Sequence, residues 1–130
     1  MSQRRTVKSD HAPEAIGPYS QAIVADHHVY TSGQIALDPE SGAMVGDGDI
    51  RAETKQVLAN LKAVLGAAGS SLHQVLRCDV FLADMGDFAA MNDVYATAFD
   101  FDPPARVTIQ AAGLPMNARV EIAAVARLLR

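Results

Sequence analysis

Two hydrophobic rhythms divide the chain. From Ile50 to Ala68, the residues Val57, Leu58, Leu61, Val64, Leu65 and Ala68 recur at intervals of three and four, the spacing that lines one face of an α-helix. Asp49 stands where an N-cap acceptor is needed, and Gly69 ends the run after Gly66 has weakened it. A second stripe, Phe88, Met91, Val94, Tyr95 and Phe99, follows a capping Asp87 and predicts a shorter helix that Pro103-Pro104 prevents from continuing. Elsewhere the period is two. Ala22-Ile23-Val24-Ala25 and Val29-Tyr30-Thr31-Ser32 read as strands joined through Asp26-His27-His28, Thr6-Val7-Lys8 as a short edge strand, and residues 75–83 as a further strand. Val107-Thr108-Ile109-Gln110-Ala111 and Arg119-Val120-Glu121-Ile122-Ala123 alternate as well, with the turn signal Gly113-Leu114-Pro115 between them. That arrangement predicts a C-terminal hairpin in which Arg106 falls opposite Glu121 on one face.

The order is β-β-α-β-α-β-β with one further N-terminal strand, which predicts an α+β fold: one mixed β-sheet with two helices packed on one face. The opposite face then needs cover, and identical subunits would supply it.

Composition narrows the partners. At 130 residues the chain reads as a single domain over residues 1–130, and 49% hydrophobic against 20% charged residues is the balance of a globular protein that needs no staple. A formal net charge of -4 argues against nucleic acid as a partner. Cys78 is the single cysteine, so no disulfide forms within the chain, and its period-two neighbours Leu76, Val80 and Leu82 point it into the core. The start of the chain carries Arg4 and Arg5 with no apolar stretch after them, and no uncharged apolar run reaches spanning length; a cytoplasmic protein with no membrane partner is the expectation. His11, His27, His28 and His73 have no metal-ligand spacing, and no glycine-rich phosphate loop, serine elbow or paired-cysteine motif occurs, so neither metal nor cofactor is expected.

Taken alone, Arg106 and Glu121 are best read as an ordinary cross-strand ion pair, since opposite charges commonly stabilise sheets. Other segments change that reading. Gly17-Pro18-Tyr19-Ser20-Gln21-Ala22, Thr31-Ser32-Gly33-Gln34-Ile35, Asp87-Phe88 through Asn92, Pro104-Ala105-Arg106, Leu114-Pro115 and Val120-Glu121-Ile122 together resemble the reactive intermediate deaminases, the RidA/YjgF family, over nearly the whole chain. The resemblance implies a chorismate-mutase-like fold, a homotrimer with its sheets turned inward, and pockets at the subunit interfaces. The activity it implies is hydrolysis of 2-enamine and 2-imino acids, of the 2-aminoacrylate and 2-iminobutyrate type, to 2-oxo acids and ammonia without a cofactor.

The implied catalytic residues are Arg106 and Glu121, with Tyr19, Ser32, Gly33, Asn92 and Thr108 lining the substrate site. The chemistry suits them: a guanidinium can grip the carboxylate of a 2-imino acid as a bidentate fork, and a carboxylate can activate water and then protonate the leaving nitrogen. Each lining residue also has a bland reading, such as a packed turn tyrosine for Tyr19 or a permissive strand end for Ser32-Gly33. Asn92 is different, because a polar residue inside a good helix needs a reason. Two departures from the family pattern stand out: Thr108 replaces a common cysteine, and the connection Asp100-Phe101-Asp102-Pro103 is short and acidic. Competing readings are a non-catalytic trimer that binds 2-oxo acids as a regulator, and a ribonuclease or translation inhibitor, which the acidic chain does not favour.

Overall fold

A computed structural model describes residues 3–129. Six strands, β1 (Arg5–Val7), β2 (Ala22–Ala25), β3 (His28–Thr31), β4 (Val75–Leu82), β5 (Ala105–Gln110) and β6 (Val120–Arg127), form one sheet in the order β1-β2-β3-β6-β4-β5. Helices α1 (Ile50–Ala68) and α2 (Phe88–Ala98) pack on a single face of it, giving the α+β architecture with a mixed sheet. The β4–β5 pair is parallel and all other neighbours are antiparallel.

Local chemistry explains the element ends. The Asp49 carboxylate accepts the Arg51 N–H at 2.9 Å, and Gly69 closes α1 in the left-handed region at φ 90°. The β2–β3 turn places Asp26 and His27 at φ 51° and 66°, the double left-handed geometry that matches a two-residue turn to strand twist. Asp and His tolerate it better than most side chains. Between helices and sheet the core is filled by Val57, Leu61, Val64 and Leu65 of α1 against Val80, Val120 and Ile122 of the sheet.

Two expectations need correction. Residues β5 and β6 do not form a hairpin, because β4 lies between them: Arg106 pairs with Cys78, and Glu121 pairs with Phe81. The β4-α2-β5 unit is a crossover whose strands run parallel side by side, so β6 takes the other edge of β4. The nine residues 111–119 step across the end of β4 instead of turning tightly. They are anchored there by Arg119, whose Nε and Nη2 donate to one Asp87 oxygen at 3.1 and 2.8 Å while its N–H donates to Glu53 at 2.9 Å. The second correction follows from this anchor: Asp87 spends its carboxylate on Arg119 and makes no side-chain cap on α2.

The rearranged pairing has a direct consequence. Arg106 lies in register with buried Cys78 on the helix side, whereas Glu121 alternates with buried Val120 and Ile122 and so faces away from the helices. The two side chains occupy opposite faces of the sheet.

Candidate functional site

The predicted residues gather into two groups, one on each side of the sheet. On the open side, Glu121 lines a cleft of about 320 Å³ with Tyr19, Ser32, Gly33, Ile35 and Pro115. Gly33 is required by contact: a Cβ there would stand 2.8 Å from Glu121 Cδ and 2.9 Å from Cγ, closer than real Cβ atoms come. The paired bonds Gln34 N–H to Ile122 O at 2.9 Å and Ile122 N–H to Gln34 O at 3.1 Å hold the glycine against β6. Behind it, buried Asn60 of α1 donates to the carbonyls of Ile35 and Leu37 at 3.1 and 3.0 Å.

Ser32 does not present a free hydroxyl. It donates to the Ser20 carbonyl at 2.6 Å, and its backbone N–H donates to Gln21 O at 2.9 Å. Tyr19 likewise uses its hydroxyl locally, accepting the Ile16 N–H at 3.2 Å, while its ring stays half exposed on the cleft. Both therefore shape the wall as well as line it. Buried Gln21, which the sequence reading passed over, ties the same segment down: it accepts from Ser9 N–H at 2.6 Å and donates to Pro13 O at 2.8 Å.

Burial raises the Glu121 pKa, and no neighbouring charge contributes. Among the described residues no hydrogen-bond donor or cation reaches this carboxylate. The effect is opposite to that expected of a glutamate held in an ion pair.

The second group lies on the helix side. Arg106 Nη1 donates to Asn92 Oδ1 at 2.7 Å, and the guanidinium carbon sits 4.8 Å from the Tyr95 ring centroid and 5.5 Å from that of Phe88. Phe88, Asn92 and Tyr95 are spaced i, i+4, i+7, so one face of α2 forms a cradle of two aromatic faces and an amide oxygen. The helix asparagine thus has its reason. Thr108, two residues along β5, faces the same side; its hydroxyl is buried without a partner among the described residues. The cradle holds a positive charge without neutralising it, because the ion pairs of the described residues join Arg51, Arg77 and Arg119 to aspartates and leave Arg106 out. The aromatic half was missed in the sequence because Phe88 and Tyr95 read as core stripe; their spacing about Asn92 was the available signal.

The chain thus offers an unneutralised cation on one side of its sheet and an unpaired, half-buried carboxylate on the other. At a rise of about 3.3 Å per residue and a strand spacing of about 4.8 Å, three β4 positions and two strand spacings separate their backbones by well over 10 Å. No group of three His, Cys, Asp or Glu among the described residues is arranged to hold a metal ion.

Known proteins share this arrangement of chain. Residues 9–128 match the family model described as endoribonuclease L-PSP. Protein DfrA of Myxococcus xanthus is 50% identical over 125 residues, covering 95% of each chain. The mouse 2-iminobutanoate/2-iminopropanoate deaminase is 47% identical over 123 residues, covering 95% of this chain and 90% of that one. The crystal structure of Escherichia coli TdcF with bound serine superposes with a TM-score of 0.91 at 36% identity, covering 96% of this chain and 99% of that one. The chain belongs to the endoribonuclease L-PSP family, the YjgF/RidA proteins.

Proposed function

We propose that the protein hydrolyses 2-imino acids, formed from the corresponding 2-enamines, to 2-oxo acids and ammonia, at a site built jointly by two copies of the chain. The observation that carries this reading is the pair of uncompensated charges. An arginine cradled by neutral groups suits a substrate carboxylate, and a glutamate raised by burial suits proton transfer. Within one chain they cannot serve one small molecule.

A neighbouring copy resolves the separation. The sheet face away from the helices exposes Tyr30, Val107 and Ile109, an apolar surface fit for burial against identical subunits. Assembly of that face as a trimer, with the β5 edge of one copy set against the Glu121 cleft of the next, would bring the Arg106 half-site around the sheet edge to that cleft. The deaminase name of the mouse relative and the serine bound to TdcF accord with a small amino-acid-like ligand.

The steps balance without a cofactor. Arg106 holds the substrate carboxylate, leaving the C=N carbon beside Glu121. Glu121 takes a proton from water as the water oxygen bonds to that carbon and passes it to the imine nitrogen, giving a carbinolamine. Glu121 then takes the hydroxyl proton and delivers it to the same nitrogen; the O–H electron pair becomes the second C–O bond of the 2-oxo acid as the C–N bond breaks and its electron pair leaves on ammonia. Because the substrate occupies Arg106, the loaded site leaves Glu121 unpaired and in its basic role.

The test couples the purified protein to a serine or threonine dehydratase and traps the nascent imine with semicarbazide. Accelerated 2-oxo acid formation is expected, reduced about 10²- to 10⁴-fold in kcat by Glu121→Gln. No acceleration, or full activity in Arg106→Ala, overturns the reading; binding of 2-oxo acids without turnover would favour a sensing role.

A further inference from the structure

The Glu121 cleft contains a second carboxylate. Glu14 lines it as well, at an exposed position, and Ile16, Ile35, Leu37 and Pro115 give the same cleft an apolar stretch of wall. No lysine, arginine or histidine lines this cleft among the described residues, so both of its own fixed charges are negative.

The position of Glu14 is held from both sides. Immediately before it, the Pro13 carbonyl accepts from buried Gln21 at 2.8 Å; two residues after it, the Ile16 N–H donates to the Tyr19 hydroxyl at 3.2 Å. The backbone that carries Glu14 is thereby held beside the cleft, so this stretch of chain need not be ordered for its carboxylate to act there.

We infer that Glu14 is a specificity residue, which selects 2-imino acids by the charge at the end of the side chain. The inference rests on the proposed deaminase reading. With the substrate carboxylate on Arg106 and the reacting carbon at Glu121, an aliphatic side chain runs along the apolar wall toward Glu14. A cationic terminus is attracted there and an anionic terminus repelled. The class favoured is therefore a straight aliphatic chain ending in a guanidinium, and the class rejected is the dicarboxylic 2-imino acids.

The test generates the imines of arginine, glutamate and leucine in place with amino-acid oxidases and catalase, and follows semicarbazone loss against 2-oxo acid formation. The arginine-derived imine is chosen because a guanidinium does not cyclise onto the imine as a free amine would. Normalised to the leucine-derived substrate, kcat/KM for the arginine-derived imine is expected to exceed that for the glutamate-derived one. That ratio should fall about tenfold in Glu14→Gln and further in Glu14→Lys, an effect compounded from two exposed charge interactions of ordinary strength. It should also shrink as salt rises from 0.05 to 0.5 M, as screening requires and a change of shape would not. A ratio that is unchanged in both variants, or insensitive to salt, overturns the inference while turnover of the leucine-derived imine leaves the deaminase reading standing. Failure of all three substrates would instead strike at that reading.

Discussion

Glu121 and Gly33 act as one unit at the scale of single residues. The glycine leaves room for the carboxylate, and the next residue, Gln34, is fastened to β6 by its paired backbone bonds with Ile122. Gly33→Ala should leave the fold intact, because Gly33 is not in the left-handed region, but displace Glu121; kcat should fall by about 10²-fold or more, as for loss of the proton handler. Wild-type kcat in a folded Gly33→Ala protein would contradict this. The titration of Glu121 gives a second expectation. In the proposed mechanism Glu121 must be ionised, and burial raises its pKa above the usual 4.5, so activity is expected above the raised value and is lost as pH falls through it. The acid limb of the kcat profile, which reports the loaded site, should therefore lie above pH 4.5 and vanish in Glu121→Gln. An acid limb at or below the ordinary glutamate value would show that burial does not govern the loaded site.

Elements position these residues through polar contacts that hydrophobic pattern cannot disclose. Helix α1 reaches across to the cleft wall through Asn60, whose amide holds two carbonyls of the segment after Gly33. Asn60→Ala leaves both buried acceptors short of a donor, at a cost of about 1–3 kcal/mol that exceeds the helix-propensity gain of about 0.6 kcal/mol. A lower urea midpoint at fixed protein concentration is expected; an unchanged midpoint would mean that water replaces the amide. The helices and most strands were legible because their stripes and caps are local: Asp49 and Gly69 bound α1 at the residues that the pattern selects. Alternation likewise placed Arg106 and Glu121 correctly within their own strands. What it could not disclose was the neighbour of each strand, because period two assigns faces within a strand and says nothing of pairing across the sheet. The hairpin reading failed for that reason. The cradle of Phe88 and Tyr95 was hidden similarly, since an aromatic beside a guanidinium and an aromatic in a core produce the same stripe.

The whole molecule follows from these separations. Its sheet is covered by helices on one face and carries exposed apolar side chains on the other, with the two halves of the proposed site on different sides. The resemblance brought the site residues together as a set, and the fold divides them into Tyr19, Ser32, Gly33 and Glu121 on one side and Asn92, Arg106 and Thr108 on the other. A site shared between copies accounts for that division, and it can be tested by complementation. Arg106→Ala and Glu121→Gln chains, each inactive alone, are unfolded together and refolded so that mixed assemblies form. In a random mixture about a quarter of the shared sites would pair an intact arginine with an intact glutamate, so imine hydrolysis should return to about a quarter of the wild-type rate. Confirmed mixed assemblies with no more activity than either parent would contradict the account.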